Sequence, residues 1–384
     1  MTTRVPVNPD LLDWALGRAG LSADALAGKF PKLREWLTGE LAPTLKQLEA
    51  FATTTHTAIG LLFLPQPPEE PLPIPDFRTL PEARMSRPSA DLLDTIYLCQ
   101  QRQAWYREHQ HLYGAQPLDF VDSVSVADEV PNVAARIAHT IGFDLDERSQ
   151  LSNWSEALRR LIAQIEEAGV LVMVSGVVGS NTHRPLRVEE FRGFALADPL
   201  APLIFVNGKD SKAAQMFTLA HELAHLWLGE SGISDAQAAT RPDEATERWC
   251  NAVAAELLVP LEPLRQVYQP GDDLQAEMQR LARRFKVSTL VIVRRLYDLG
   301  ALDEETLWRM YREELERVKA LSTREGSGGD FYNNLGARVS KRFASAVVGS
   351  TLEGQTAFTD AFRMLGIKKS ATFYEEARRL GLHG

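Results

Sequence analysis

Two histidines four residues apart, with a glutamate directly after the first, form the sharpest chemical pattern in the chain: His221-Glu222-Leu223-Ala224-His225. On an α-helix, positions i and i+4 share a face, so both imidazoles can reach one metal ion at about 2.0–2.1 Å. Glu222 lies one position round the helix. It is too close to His221 to chelate with it, but well placed to serve a water beside the ion. The blander account of the same residues is a pair of hydrogen-bonded core histidines with a surface glutamate.

A third ligand is expected from another helix. Downstream, Glu244, Glu247 and Asn251 share one helical face at i, i+3 and i+7, and alanines continue it, which permits close helix approach. Glu247 follows His225 by 22 residues and is the expected ligand, with Glu244 as the fallback. A carboxylate beside two imidazoles leaves a fourth position open, as catalytic rather than structural zinc sites do. Asn251, one turn beyond Glu247, could orient a ligand histidine. The alternative for Glu247 is a solvated charge paired with Arg248. His183 and Tyr332 are candidates for stabilising an oxyanion, and each is also explicable as ordinary structure.

The elements that must position these groups follow from pattern. A mostly apolar helix is predicted over Ser211–Leu228, capped by Asp210 or Ser211 and stopped by Gly229. Before it, Gly169–Val178, Phe191–Leu196 and Pro202–Asn207 read as strands, the last two joined as a hairpin through Ala197-Asp198-Pro199. Pro202–Asn207 is expected to offer an edge to which an extended substrate adds by main-chain hydrogen bonds, the alternative being a central strand with no free edge. Helices are predicted over Asp91–Tyr113, 130–142, 154–168, Asp243–Val259, Leu274–Phe285, Ser288–Leu299 and Glu304–Leu321. Five short helices are predicted within residues 8–64, including Ser22–Phe30 and His56–Leu64. Eight prolines between Pro65 and Pro88 predict an extended, semi-rigid spacer. The fold class expected is α+β, mostly helical, with a small sheet. Its parts are a helical domain at 1–65, a proline-rich linker at 66–90, a domain at 91–322 that carries the histidine pair and a helical segment at 323–384.

Composition narrows the function classes. With 384 residues, 45% hydrophobic and 24% charged, the chain reads as folded, with more than one domain. Two cysteines exclude a disulfide framework and a thiolate zinc site. No apolar run approaches the ~20 residues of a membrane helix. The opening MTTRVPVNPDLLDW lacks a signal-peptide pattern, which predicts a cytoplasmic protein without a membrane partner. A net charge of −9 argues against nucleic-acid binding by the whole surface. Residues 1–65 carry six basic and six acidic side chains, so DNA is a weak expectation there. Residues 331–384 carry eight basic against four acidic, read as solvated charge on a packing helix pair or as a small nucleic-acid or partner contact.

The runs FRGFALADPLAPLIFVNGKDSKAAQMFTLAHELAHLWLGESG and ERWCNAVAAELLVP resemble the ImmA/IrrE family of metallo-endopeptidases over roughly residues 70–300. The resemblance implies a gluzincin-type zinc peptidase holding one zinc, or another divalent ion, per chain. It assigns His221, His225 and Glu247 as metal ligands and Glu222 as the catalytic glutamate. It also implies a protein substrate of the helix-turn-helix repressor type, inactivated by cutting or by regulated contact, in stress, prophage or mobile-element regulation. Residues 1–65 resemble a phage-repressor helix-turn-helix domain through Leu26-Ala27, Trp36-Leu37-Thr38-Gly39 and Pro43-Thr44-Leu45-Lys46-Gln47-Leu48. The stretch from Ala27 to Gly39 is shorter than usual, so the module is read as degenerate. The competing readings are a DNA-binding transcriptional regulator, or a toxin–antitoxin component, with a non-catalytic metal site.

Overall fold

A computed structural model of the chain describes residues 3–78, 88–234, 245–271, 273–322 and 335–382, with 318–322 as backbone only. The chain divides into two compact units, Met1–Pro73 with Arg84–Tyr97, and Ile74–Ala83 with Leu98–Gly384. Among the described residues no helix is long and apolar enough to cross a membrane.

In the first unit, α1 (Pro9–Arg18), α2 (Leu33–Leu37), α3 (Leu45–Thr54) and a 3-10 turn at Ile59–Phe63 surround Leu11, Leu12, Trp36, Leu48, Phe51 and Leu62. Asn8 caps α1, and Thr44 with Gln47 forms a capping box at the start of α3. Two predicted helices are absent. Ser22 accepts from the Ala25 amide as a cap would, but the bonds that follow run from Ala27 to Asp24 and from Lys29 to Leu26, so only turns form. Gly28 lowers helix propensity there, and Pro31 bars Phe30 from the helical region. His56–Leu64 tightens into the 3-10 turn, with His56 at φ 52°.

The second unit is built on a four-stranded mixed sheet. Its strands are β1 (Leu171–Ser175), β2 (Gly193–Leu196), β3 (Leu203–Asn207) and β4 (Gly232–Ser234), in the order β1-β3-β2-β4. β1 and β3 run parallel, while β2 is antiparallel to both β3 and β4. The predicted hairpin is present, but the edge assigned to Pro202–Asn207 is not. β3 is central, with Leu203 opposite Leu171 on one side and Leu196 on the other. The continuous run Leu203-Ile204-Phe205-Val206 is the pattern of a strand buried on both faces, and all five residues of β3 are buried. Successive residues alternate between two packed layers. Val172, Val174, Ala195, Ile204 and Val206 join the core around the following helix, while Phe194 and Phe205 stack on the other face with Phe191 tilted against both.

Helices enclose this sheet. α4 (Ala90–Leu112), α5 (Val130–Ile141), α6 (Leu145–Gln150) and α7 (Trp154–Glu167) precede it. α8 (Lys212–Leu228) and α9 (Ala245–Leu258) pack along one another, and α9 also lies on α5. α10 (Leu261–Val267), α11 (Leu274–Phe285), α12 (Thr289–Asp298) and α13 (Glu304–Ser322) complete the core, followed by α14 (Leu335–Val339), α15 (Lys341–Leu352), α16 (Phe358–Leu365) and α17 (Ser370–Arg379). Two buried polar bonds tie this last group to the core. Ser340 Oγ donates to Glu166 Oε1 at 2.5 Å, and Arg102 Nε donates to Met364 O at 3.0 Å.

α8 is held at both ends. Ser211 Oγ accepts from the Ala214 amide, and Gly229 closes the helix at φ 73°. The amides of Asp122 and Ser123 donate to Leu226 O and Trp227 O, satisfying carbonyls the helix leaves open. A Cβ on Gly229 would lie 2.7 Å from Asp122 Cβ and occupy a left-handed conformation. Gly229→Ala is therefore expected to lower stability by about 2 kcal/mol, read from urea unfolding. A change near zero would show that the loop at 122–124 yields freely.

Candidate metal centre

Every residue of α8 from Gln215 to Leu228 is buried. His221, Glu222 and His225 are 0% exposed, and Glu247 on α9 is 1% exposed. The i and i+4 spacing turns both rings to the same side, where α9 brings its carboxylate against them. His225 Nε2 lies 2.9 Å from Glu247 Oε1, His221 Nε2 lies 3.3 Å from Glu247 Oε2, and the two Nε2 atoms are 3.1 Å apart. Ligands about 2.0–2.1 Å from a tetrahedral zinc are separated by about 3.3 Å. The three groups therefore converge at the spacing such an ion requires, and among the described residues they are the group able to hold one.

Neighbouring contacts select the chemical form of these groups. Asn251, one turn along α9 from Glu247, offers Oδ1 at 3.0 Å to His221 Nδ1. An amide oxygen only accepts, so Nδ1 carries a proton, and Nε2 is the ring atom turned toward Glu247. His225 Nδ1 is buried with no hydrogen-bond partner among the described residues. Burial works against the charged form of both histidines. At His221 the Glu247 carboxylate outweighs it and the ring sits above its ordinary value, whereas at His225 burial prevails and the value is lowered. Burial likewise opposes ionisation of Glu247, yet the charge on His221 and hydrogen bonds from both rings bring it down to about 2. The set is thus an ionised carboxylate facing two imidazole nitrogens.

Glu222 occupies a separate niche on the sheet side. Burial pushes its carboxyl up to about 8, against the opposing influence of His221 and Ser234. Ser234 Oγ donates to Glu222 Oε1, leaving Oε2 buried without a partner among the described residues. Ser234 pairs with Gly193 across β2 and β4. A Cβ on Gly193 would lie 2.6 Å from Thr218 Cγ2, 2.9 Å from Phe205 O and 3.1 Å from Glu222 Oε1. The missing side chain makes the space that the carboxylate occupies.

The structure thus brings together His221, His225, Glu247, Glu222 and the orienting Asn251. His183 is exposed, its amide bonded to Asn181 Oδ1, and no described contact joins it to the centre. Tyr332 and the fallback Glu244 lie outside the described residues. Ser234, Gly193 and Phe77, whose ring stacks on His225 with centroids 5.4 Å apart and 3° between planes, carried no sequence signal. Their roles depend on a three-residue strand and on a pairing with residues more than 150 positions upstream.

Comparison with known proteins agrees with the geometry. Residues 165–297 match the sequence profile of the IrrE N-terminal-like domain, and residues 339–379 match a domain of unknown function. The chain is 33% identical over 169 residues to the radiation response metalloprotease IrrE of Deinococcus deserti, covering 42% of this chain and 56% of that protein. It is 32% identical over 96 residues to the protein of the same name from Deinococcus radiodurans, covering 24% of this chain and 29% of that one. The chain therefore spans about half the length of the first relative and under a third of the second.

Gly193→Ala tests the niche. Overpacking of this kind costs about 1–3 kcal/mol. The variant is expected to unfold at lower urea and to displace the Glu222 carboxylate in a crystal structure. Unchanged stability with Glu222 in place would refute the steric account.

Proposed function

We propose that this chain, whose residues 165–297 match the IrrE N-terminal-like domain, is a zinc-dependent endopeptidase that acts in the cytoplasm on a protein substrate. The observation that carries the reading is the convergence of two imidazole Nε2 atoms and an ionised carboxylate in a buried centre, with a second carboxyl one residue away. His221, His225 and Glu247 would hold the metal. A zinc ion there supplies Lewis-acid polarisation of a peptide carbonyl and favours deprotonation of water.

Glu222 is the proton carrier in this reading. Its Oε1 is occupied by the Ser234 hydroxyl, so Oε2 is the atom left to receive a proton from the attacking water and return it to the leaving amine. A carboxyl that burial lifts toward neutral pH can both take and release a proton, and a cation held by its neighbours would lower it from that value. Asn251 holds His221 in the tautomer that directs Nε2 inward. The helix-turn-helix repressor as substrate is carried by the family resemblance and by the repressor-like residues of the first unit. Cleavage of such a repressor would release the genes it silences.

Two measurements test this. His221→Ala should lose nearly all of one zinc equivalent per chain by elemental analysis, and full occupancy in that variant would refute the ligand set. Glu222→Gln should keep its zinc while losing about 10²–10⁴-fold in the rate of peptide cleavage, the usual cost of removing a general base. Unchanged cleavage would refute the role of Glu222.

A further inference from the structure

All four ionisable groups of the centre are 0–1% exposed. The sheet edge nearest to it is also covered, and by this chain itself. β4 pairs with β2 on one side. On its other side the Ile233 amide donates to Pro75 O and the Phe77 amide donates to Ile233 O, each at 3.0 Å, so Asp76 lies beside Ile233 as in a parallel strand. Within the stretch expected to form a spacer, Pro75-Asp76-Phe77 is a strap on the sheet, and it belongs to the same compact unit as β4.

The strap is held by more than backbone. The Phe77 ring stacks on His225, and a Cβ on Gly232 would fall 2.2 Å from its Cε2 atom. Only glycine at 232 admits the ring. Arg78, 1% exposed, donates through Nε and Nη2 to Asp76 at 2.8 and 2.7 Å, and through Nη1 to Glu190 O at 3.3 Å. Such a pair fixes the extended turn of chain that presents Phe77. Together these features describe a slot for an extended peptide: a two-bond backbone ladder on Ile233, and a flat cradle of Gly232 and His225 that takes an aromatic ring.

We propose that the outer edge of β4 is a peptide-docking edge for an extended segment bearing an aromatic residue, and that Pro75-Asp76-Phe77 is its resident occupant, exchanged for the substrate segment. The inference rests on the peptidase reading for what the docked segment is used for. Strand addition supplies affinity through main-chain bonds, and the ring cradle supplies selectivity. The resident strap lowers apparent affinity by the fraction of time it holds the edge.

The test uses the full-length chain and a fluorescent pentapeptide copy of the strap, Ile-Pro-Asp-Phe-Arg, blocked at both ends. Phe77→Ala should bind it at least tenfold more tightly than the unaltered chain, and a peptide with alanine for phenylalanine should lose that gain. Gly232→Ala should loosen the strap yet bind neither peptide, because its Cβ fills the cradle. Equal binding by Phe77→Ala and the unaltered chain, or tight binding by Gly232→Ala, would overturn the proposal. Hydrogen exchange serves as the fold control: the Ile233 amide should exchange faster in Phe77→Ala while the β2–β3 amides stay protected, and unchanged exchange at Ile233 would likewise overturn it. Hydrolysis of an unfolded protein is assayed separately. Peptide exchange without any hydrolysis would defeat the peptidase reading, whereas hydrolysis without peptide exchange would defeat this inference alone.

Discussion

Three ionisable groups brought within hydrogen-bonding distance of one another inside an apolar core set the terms for the rest of this unit. Two imidazoles and a carboxylate, each at most 1% exposed, would be costly to bury without partners. They satisfy one another only if α8 and α9 lie close and parallel enough for Glu247 to span both rings. Ala254 and Ala255 on α9, both buried, keep the helix surfaces low. Asn251 then fixes the orientation of the His221 ring, with Nε2 toward Glu247. The ends of α8 are fixed accordingly, by the Ser211 cap, by Gly229 and by the 122–124 amides bonded to its last carbonyls.

The short strand β4 shows how much a small element can carry. Each of its three residues has a distinct job. Gly232 leaves room for the Phe77 ring, Ile233 bonds the strap on one side and faces Phe194 on the other, and Ser234 reaches Glu222. Its neighbour β2 contributes Gly193 to the same niche. A strand of three residues has little stability of its own. It persists because it is paired on both sides, by β2 and by the strap. The covered edge also removes the unpaired amides that make exposed strand edges prone to unwanted association.

The helix that bears the histidines was legible because its signals are local: an N-cap, an apolar run, a glycine stop, and a 3.6-residue period that places His221 and His225 on one face. Glu247 and Asn251 were legible for the same reason, since a helical face can be drawn from spacing alone. Three of the four strands and their hairpin were readable from β-branched runs and a turn.

Strand order, by contrast, is a property of the assembled sheet. Nothing in Leu203–Asn207 says whether its second edge is free, and the decision falls to β1, which reaches it by a parallel crossover. At Pro75–Phe77 in the proline-rich stretch, composition specified extended backbone, and tertiary structure decided that these three residues would pair with β4. The same division holds at Ser22–Phe30, where a capping serine began turns that Gly28 and Pro31 kept from becoming a helix. Short-range hydrogen bonds and periodicity are written in neighbouring residues, so the sequence by itself determined the shared face of His221 and His225 and the helical face that carries Glu247. Pairings between Ser234 and Glu222, Gly193 and Ser234, or Phe77 and His225 join residues 12 to 148 positions apart. They exist only once packing has brought those segments together.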